Sequence, residues 1–100
     1  MVEKIQKKVD DFIKSTKDGY WPPLSMLAAL IEEIGESARI INSIEKIKPL
    51  KNEENTPNQL VMLEEELGDV LFALVCLANY YNISLENSIM NTLVKYRDRK

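Results

Sequence analysis

One hundred residues with a net charge of −3 make a single small domain, with too little positive charge to hold a nucleic acid polymer through its phosphates. The lone cysteine excludes an internal disulfide framework. The absence of histidine excludes Ser-His-Asp and Cys-His catalysis, imidazole zinc sites and Glu-x-x-His di-iron bundles.

Val2, Ile5, Val9, Phe12 and Ile13 recur at helical spacing and predict a first helix that ends before Asp18-Gly19. The opening MVEKIQKKVDD has no apolar core segment and does not read as a signal peptide. Tyr20-Trp21-Pro22-Pro23 is an extended or turn segment, because each proline restricts the residue before it. A second helix starts near Pro23 and runs to about Ile47. The polar stretch KPLKNEENTPNQ then predicts a mobile loop over about 48–58. A third helix spans about Asn58 to Tyr81, and Ser84 is placed to cap a fourth that reaches about Tyr96. Long helices with short connections predict an all-α, antiparallel four-helix bundle occupying residues 1–100.

Two of these helices carry more apolar surface than one chain can cover. On the second, Leu27, Leu30, Ile31, Ile34, Ala38 and Ile41 form one stripe, while Ala29, Ile40, Ile44 and Ile47 share the other side with Glu33 and Glu36. On the third, Val70 to Ala78 is apolar all round, yet roughly half as long as a membrane span. Cys76 lies inside that run and reads as a buried small hydrophobe. The core is therefore expected to be completed by oligomerisation, as a homodimer or a dimer of dimers, in a cytoplasmic protein with no membrane partner.

Against this apolar background stand four acids, spaced E-x-x-E at Glu33 and Glu36 and E-x-x-D at Glu66 and Asp69. Residues three apart on a helix are neighbours, so each pair presents two carboxylates to one point. Burying an unpaired carboxylate is costly, and no cluster of Lys or Arg shares these turns. A hard divalent cation, Mg²⁺ or Mn²⁺, matches a set of oxygen donors. Glu32 neighbours Glu36 by one turn and is an outer ligand or the base that activates water, whereas Glu64 points away and is solvated. Met62, Glu66, Asp69, Ala73, Cys76 and Tyr80 share one stripe, so Tyr80 lines the same cavity or serves as core. Trp21, just before the acidic helix, either stacks on a base or staples the bundle.

At these residues the sequence resembles the MazG-type nucleotide pyrophosphohydrolases of the all-α NTP pyrophosphatase superfamily, and within it the short single-domain members. The family signature, E-E-x-x-E followed by E-x-x-D, reads here as Glu32-Glu33-Ile34-Gly35-Glu36 and Glu66-Leu67-Gly68-Asp69. The resemblance extends over GYWPPLSMLAALIEEIGE, EEELGDVLFALVCLANYYNISLE and the terminal KYRDR. It implies hydrolysis of a nucleoside triphosphate between the α and β phosphates, with Glu33, Glu36, Glu66 and Asp69 as Mg²⁺ ligands and Glu32, Glu33 and Glu36 in the catalytic group. Lys95 and Arg99 match the family's C-terminal K-[FY]-x-x-R pattern, whose basic residues contact the phosphate tail, and Asn91 lies one turn before them. Without the resemblance they read as a soluble tail. The chain departs from the family in carrying Arg97 where relatives have Asn, and in a long spacer between the two acidic motifs. A helical oligomer that binds metal or nucleotide without turnover, as an interaction module, is the alternative.

Overall fold

Pro22 and Pro23 set where one of the two longest helices begins. Pro22 is extended, at φ −57° and ψ 146°, and Pro23 fills the first helical position, where its missing N–H costs nothing. The computed structural model describes residues 1–45 and 58–99. Within them lie four helices and no strand: α1 (Val2–Ser15), α2 (Pro23–Ile44), α3 (Gln59–Tyr80) and α4 (Leu85–Asp98). Ile47 and nearly all of the predicted 48–58 loop lie outside the described residues. The Ser84 hydroxyl accepts a hydrogen bond from the Asn87 N–H at 3.2 Å, which satisfies one orphan donor at the start of α4. Asn82, at φ 56°, makes the tight turn ahead of it, a left-handed position that Asn tolerates better than most residues.

The most extensive contact is between α2 and α3. The two run antiparallel, since Gln59 at the start of α3 donates to Ser43 near the end of α2, while Met26 and Cys76 meet around one cavity at the other end. Small residues make this seam close: Ser37 and Ser43 are buried on α2, and Ala73 and Ala78 on α3. Val75 is wholly buried. On α1, the Phe12 ring meets Phe72 edge-on at 6.2 Å, and Gln6 hydrogen-bonds Asn79 at 2.9 Å. Gln6 is buried and fully used, donating also to the Ile83 carbonyl and accepting from the Leu85 N–H. Truncating it would strand those groups at a cost of about 1–3 kcal/mol.

The four helices do not close into a bundle within one chain. α4 rests chiefly on α1, and none of its residues is buried. The radius of gyration is 16.3 Å, against about 13 Å for a compact chain of this length. The slab-like extents of 47 × 42 × 24 Å agree with that openness. Of the two sides of α2 expected to be covered, the single chain covers one. The acid-bearing side, with Met26, Ser37 and Ile40 buried, is the one that meets α3. The stripe through Leu27, Ile31 and Ile34 is uncovered, with Ile31 60% and Ile34 50% exposed. Periodicity detects both stripes; it does not say which one a single chain can satisfy.

Candidate metal centre

The α2–α3 seam brings the two acidic motifs together. Glu33, Glu66 and Asp69 each place a carboxylate oxygen within 4.8 Å of the others. Glu33 and Glu66 are half-buried, and Asp69 is exposed. Because the helices are antiparallel, residues on facing turns converge, and an i,i+3 pair from α3 meets Glu33 of α2. Glu66 Oε2 is inaccessible and has no hydrogen-bond partner, an orphaned acceptor of the kind a folded protein rarely leaves unsatisfied. Contact with the Glu33 carboxyl, which a shared proton can bridge, pushes the Glu66 carboxyl above the usual carboxylate range. Desolvation and the charges of Glu33, Asp69 and Glu36 push it the same way. Three carboxylates, one of them carrying an orphaned buried oxygen, fit the oxygen-donor set of a hard divalent cation.

Glu36 stands slightly apart from this trio. Its Oε1 accepts from Arg39 Nη2 at 3.1 Å, an exposed pair one turn along α2. Glu32 is exposed beside it.

Behind the acids lies a cavity of about 410 Å³. Glu33 and Asp69 form part of its wall, and Phe12, Met26, Phe72 and Cys76 supply hydrocarbon and sulfur surface. Trp21 also lines it, with 58% of its surface exposed. Burial pushes the Cys76 thiol up, so it stays protonated and serves as wall. Phe12 and Phe72 were not expected here. They belong to different helices, and their only early sign is an apolar position on an otherwise ordinary stripe.

The sequence and the fold recur in known proteins. Residues 22–100 match the family model of the MazG nucleotide pyrophosphohydrolase domain. The chain belongs to the MazG family. It is 45% identical over 98 residues to YpjD of Bacillus subtilis (strain 168), a match covering 98% of this chain and 85% of YpjD. It is 31% identical over 84 residues to YvdC of the same organism, covering 82% and 79% of the two chains. The crystal structure of Bacillus subtilis YpjD superposes with a TM-score of 0.83, covering 96% of this chain and 94% of that one. That of the Bacillus-conserved MazG protein, a nucleotide pyrophosphohydrolase, superposes at 0.77 with 41% identity, covering 96% and 88%.

The MazG-family motifs thus map onto the seam, but the other expected contacts are scattered in the single chain. Tyr80 is turned away from the acids: its ring meets Tyr81 edge-on at 5.1 Å and lines a separate groove beside Gln6 and Ser84. The stripe that offered Tyr80 to the acidic cavity or to the core ends at Cys76, because α1 and the Asn82 turn occupy the end of α3. Lys95 and Arg99 lie over the Tyr96 ring at 5.4 and 5.3 Å from its centroid, on the exposed length of α4. They line neither cavity, nor does Asn91. None of the described helices is long and apolar enough to cross a membrane.

Proposed function

We propose that this MazG-family chain is a Mg²⁺-dependent nucleoside triphosphate pyrophosphohydrolase, cleaving (d)NTP between the α and β phosphates to give (d)NMP and pyrophosphate. The observation that carries this reading is the convergence of Glu33, Glu66 and Asp69 around an orphaned buried oxygen, beside an apolar cavity. Those three acids would hold the cation, with Glu36 as a fourth once it leaves Arg39; Mn²⁺ suits the same donors. When bound, the cation neutralises phosphate charge and acidifies water. Glu32, exposed and adjacent in sequence to Glu33, would accept the proton of the attacking water. The cavity takes the base, and Trp21 offers a ring for it to stack on, which any base accepts. Removal of surplus or non-standard nucleotides would be the cellular role.

The working unit in this reading is a homodimer or a dimer of dimers. Support comes from the uncovered apolar residues Leu27, Ile31 and Ile34 on α2, Leu67 and Leu71 on α3, and Leu93 on α4. So large an apolar surface calls for a partner, and a second copy is the one always present. Lys95, Arg99 and Asn91 would then serve the site of the neighbouring subunit.

Incubation with a panel of NTPs and dNTPs plus Mg²⁺ tests the proposal. Pyrophosphate and a monophosphate are the expected products, with base preference read from the same panel. Orthophosphate release would contradict it. Binding without turnover would return the chain to the interaction-module reading.

A further inference from the structure

Lys17 to Trp21 carry the chain from α1 to α2. Among the described residues, no backbone hydrogen bond ties this crossing to the rest of the fold. It turns through Gly19 at φ +66°, a left-handed conformation that glycine adopts without penalty. Its one side-chain tether among the described residues is the Tyr20 phenol. The hydroxyl donates to Asp10 Oδ1 at 2.6 Å and accepts from Asn79 Nδ2 at 3.2 Å. Asp10 is itself held by Lys14 at 2.9 Å. The Asn79 amide also donates to the Gln6 carbonyl at 3.0 Å, and its oxygen accepts from the buried Gln6 side chain at 2.9 Å. Gln6 in turn joins Ile83 and Leu85 at the start of α4. One phenol thus anchors a loose crossing to two helices, α1 and α3.

The position of that phenol matters to the site. Gly19, Tyr20 and Trp21 all line the cavity into which Glu33 and Asp69 face. Tyr20 also lines the groove on the other side, so its ring is the partition between the two. Among the described residues, the hydrogen bonds of the Tyr20 hydroxyl are what hold the crossing to α1 and α3.

We propose that Tyr20 is a positioning residue: the chain Asp10–Tyr20–Asn79–Gln6 sets the crossing as a fixed wall and holds Trp21 beside the acids, where the nucleoside half of the substrate docks. The proposal rests on the pyrophosphohydrolase reading for its substrate, but the placement of Trp21 is testable without turnover. Burial first, then the hydrogen bond to Asp10, pushes the phenol up to about 12, so it remains a donor at every working pH.

Tyr20→Phe keeps the partition and removes only the hydroxyl. Trp21 is the sole tryptophan, so its emission reports this wall alone. Acrylamide quenching of that emission should rise in Tyr20→Phe. KM for the best triphosphate of the panel should rise about tenfold, while kcat stays within about twofold, because binding geometry and not the acid cluster is disturbed. Asp10→Asn keeps an acceptor and should behave as wild type, whereas Asp10→Ala should reproduce Tyr20→Phe. Helical circular dichroism is compared throughout. Unchanged quenching and KM in Tyr20→Phe would overturn the proposal. So would equal defects in Asp10→Asn and Asp10→Ala, or a loss confined to kcat. If the wild type turns over no triphosphate, the function reading fails on its own, and the quenching series across the same variants still decides the role of Tyr20.

Discussion

The α2–α3 seam and α4 are unfinished in opposite ways. At the seam, packing is close and the imbalance is electrical: carboxylates crowd one another, and Glu66 Oε2 is sealed off without a partner. Along α4 the charges are comfortable, since Lys95 and Arg99 rest over Tyr96 in water, and the imbalance is apolar. Ile89, Met90, Leu93 and Val94 are exposed there, and no residue of that helix is buried. In the proposed function a cation would answer the first imbalance and a second copy of the chain the second. The difference teaches how to separate ligand from partner: excess charge in a tight seam asks for an ion, while excess hydrocarbon on an open helix asks for another surface.

The largest expected effect breaks the seam. Asp69→Asn should lower pyrophosphate release by about a thousandfold with helical content unchanged, as expected when one of few charge-stabilising groups is lost. Retained activity would remove Asp69 from the site. The matching break on the apolar side is Ile31→Glu, aimed at an uncovered position of α2. Sedimentation should show the dimer dissociation constant raised at least ~100-fold, because a charge placed in an apolar interface is left unpaired. A wild-type chain that sediments as a monomer at micromolar concentration would contradict the oligomer outright.

Much of this contrast is legible in the residues alone. Prolines, Gly19 and Ser84 punctuate the chain, so the helix ends they predict fall within a few residues of those observed. The acids announce themselves because charge on an apolar stripe is expensive. What periodicity cannot supply is the pairing of faces. The stripe through Leu27, Ile31 and Ile34 is the greasier one, yet the seam uses the acid-bearing side, where Ser37 and Ala73 let the backbones approach. Tyr80 departs from expectation for a related reason, since a stripe extrapolated along one helix ignores the helix that crosses its end. The cavity aromatics Phe12 and Phe72 meet only through tertiary packing. Nothing in their spacing joins them.

A smaller effect sharpens the electrical side. Because the Glu66 carboxyl is raised in the folded state, folding is penalised at pH values above both its unfolded and folded pKa, and the penalty fades as pH falls through that window. Glu66→Gln should therefore raise the melting temperature of the metal-free protein at neutral pH by a few degrees. It should also diminish the further rise that Mg²⁺ gives the wild type. Calorimetric scans with and without Mg²⁺ check both, and a variant less stable without metal would contradict the account of the cluster.

The smallest effect is spectroscopic and leaves both regions intact. In an alkaline absorbance titration one tyrosine should ionise only at about 12, and that step should vanish in Tyr20→Phe. The sign follows from burial: the folded state disfavours the phenolate, so stability falls as pH rises from the unfolded phenol's pKa toward about 12.

Whether a divalent cation completes the charge excess of the seam is decided by titrating the free protein with Mn²⁺ and reading free ion by electron paramagnetic resonance. Saturable binding to the wild type is expected, competed by Mg²⁺ and lost in Asp69→Asn. Binding that is absent at millimolar Mn²⁺, or that survives unchanged in Asp69→Asn, would contradict a cation site at the seam.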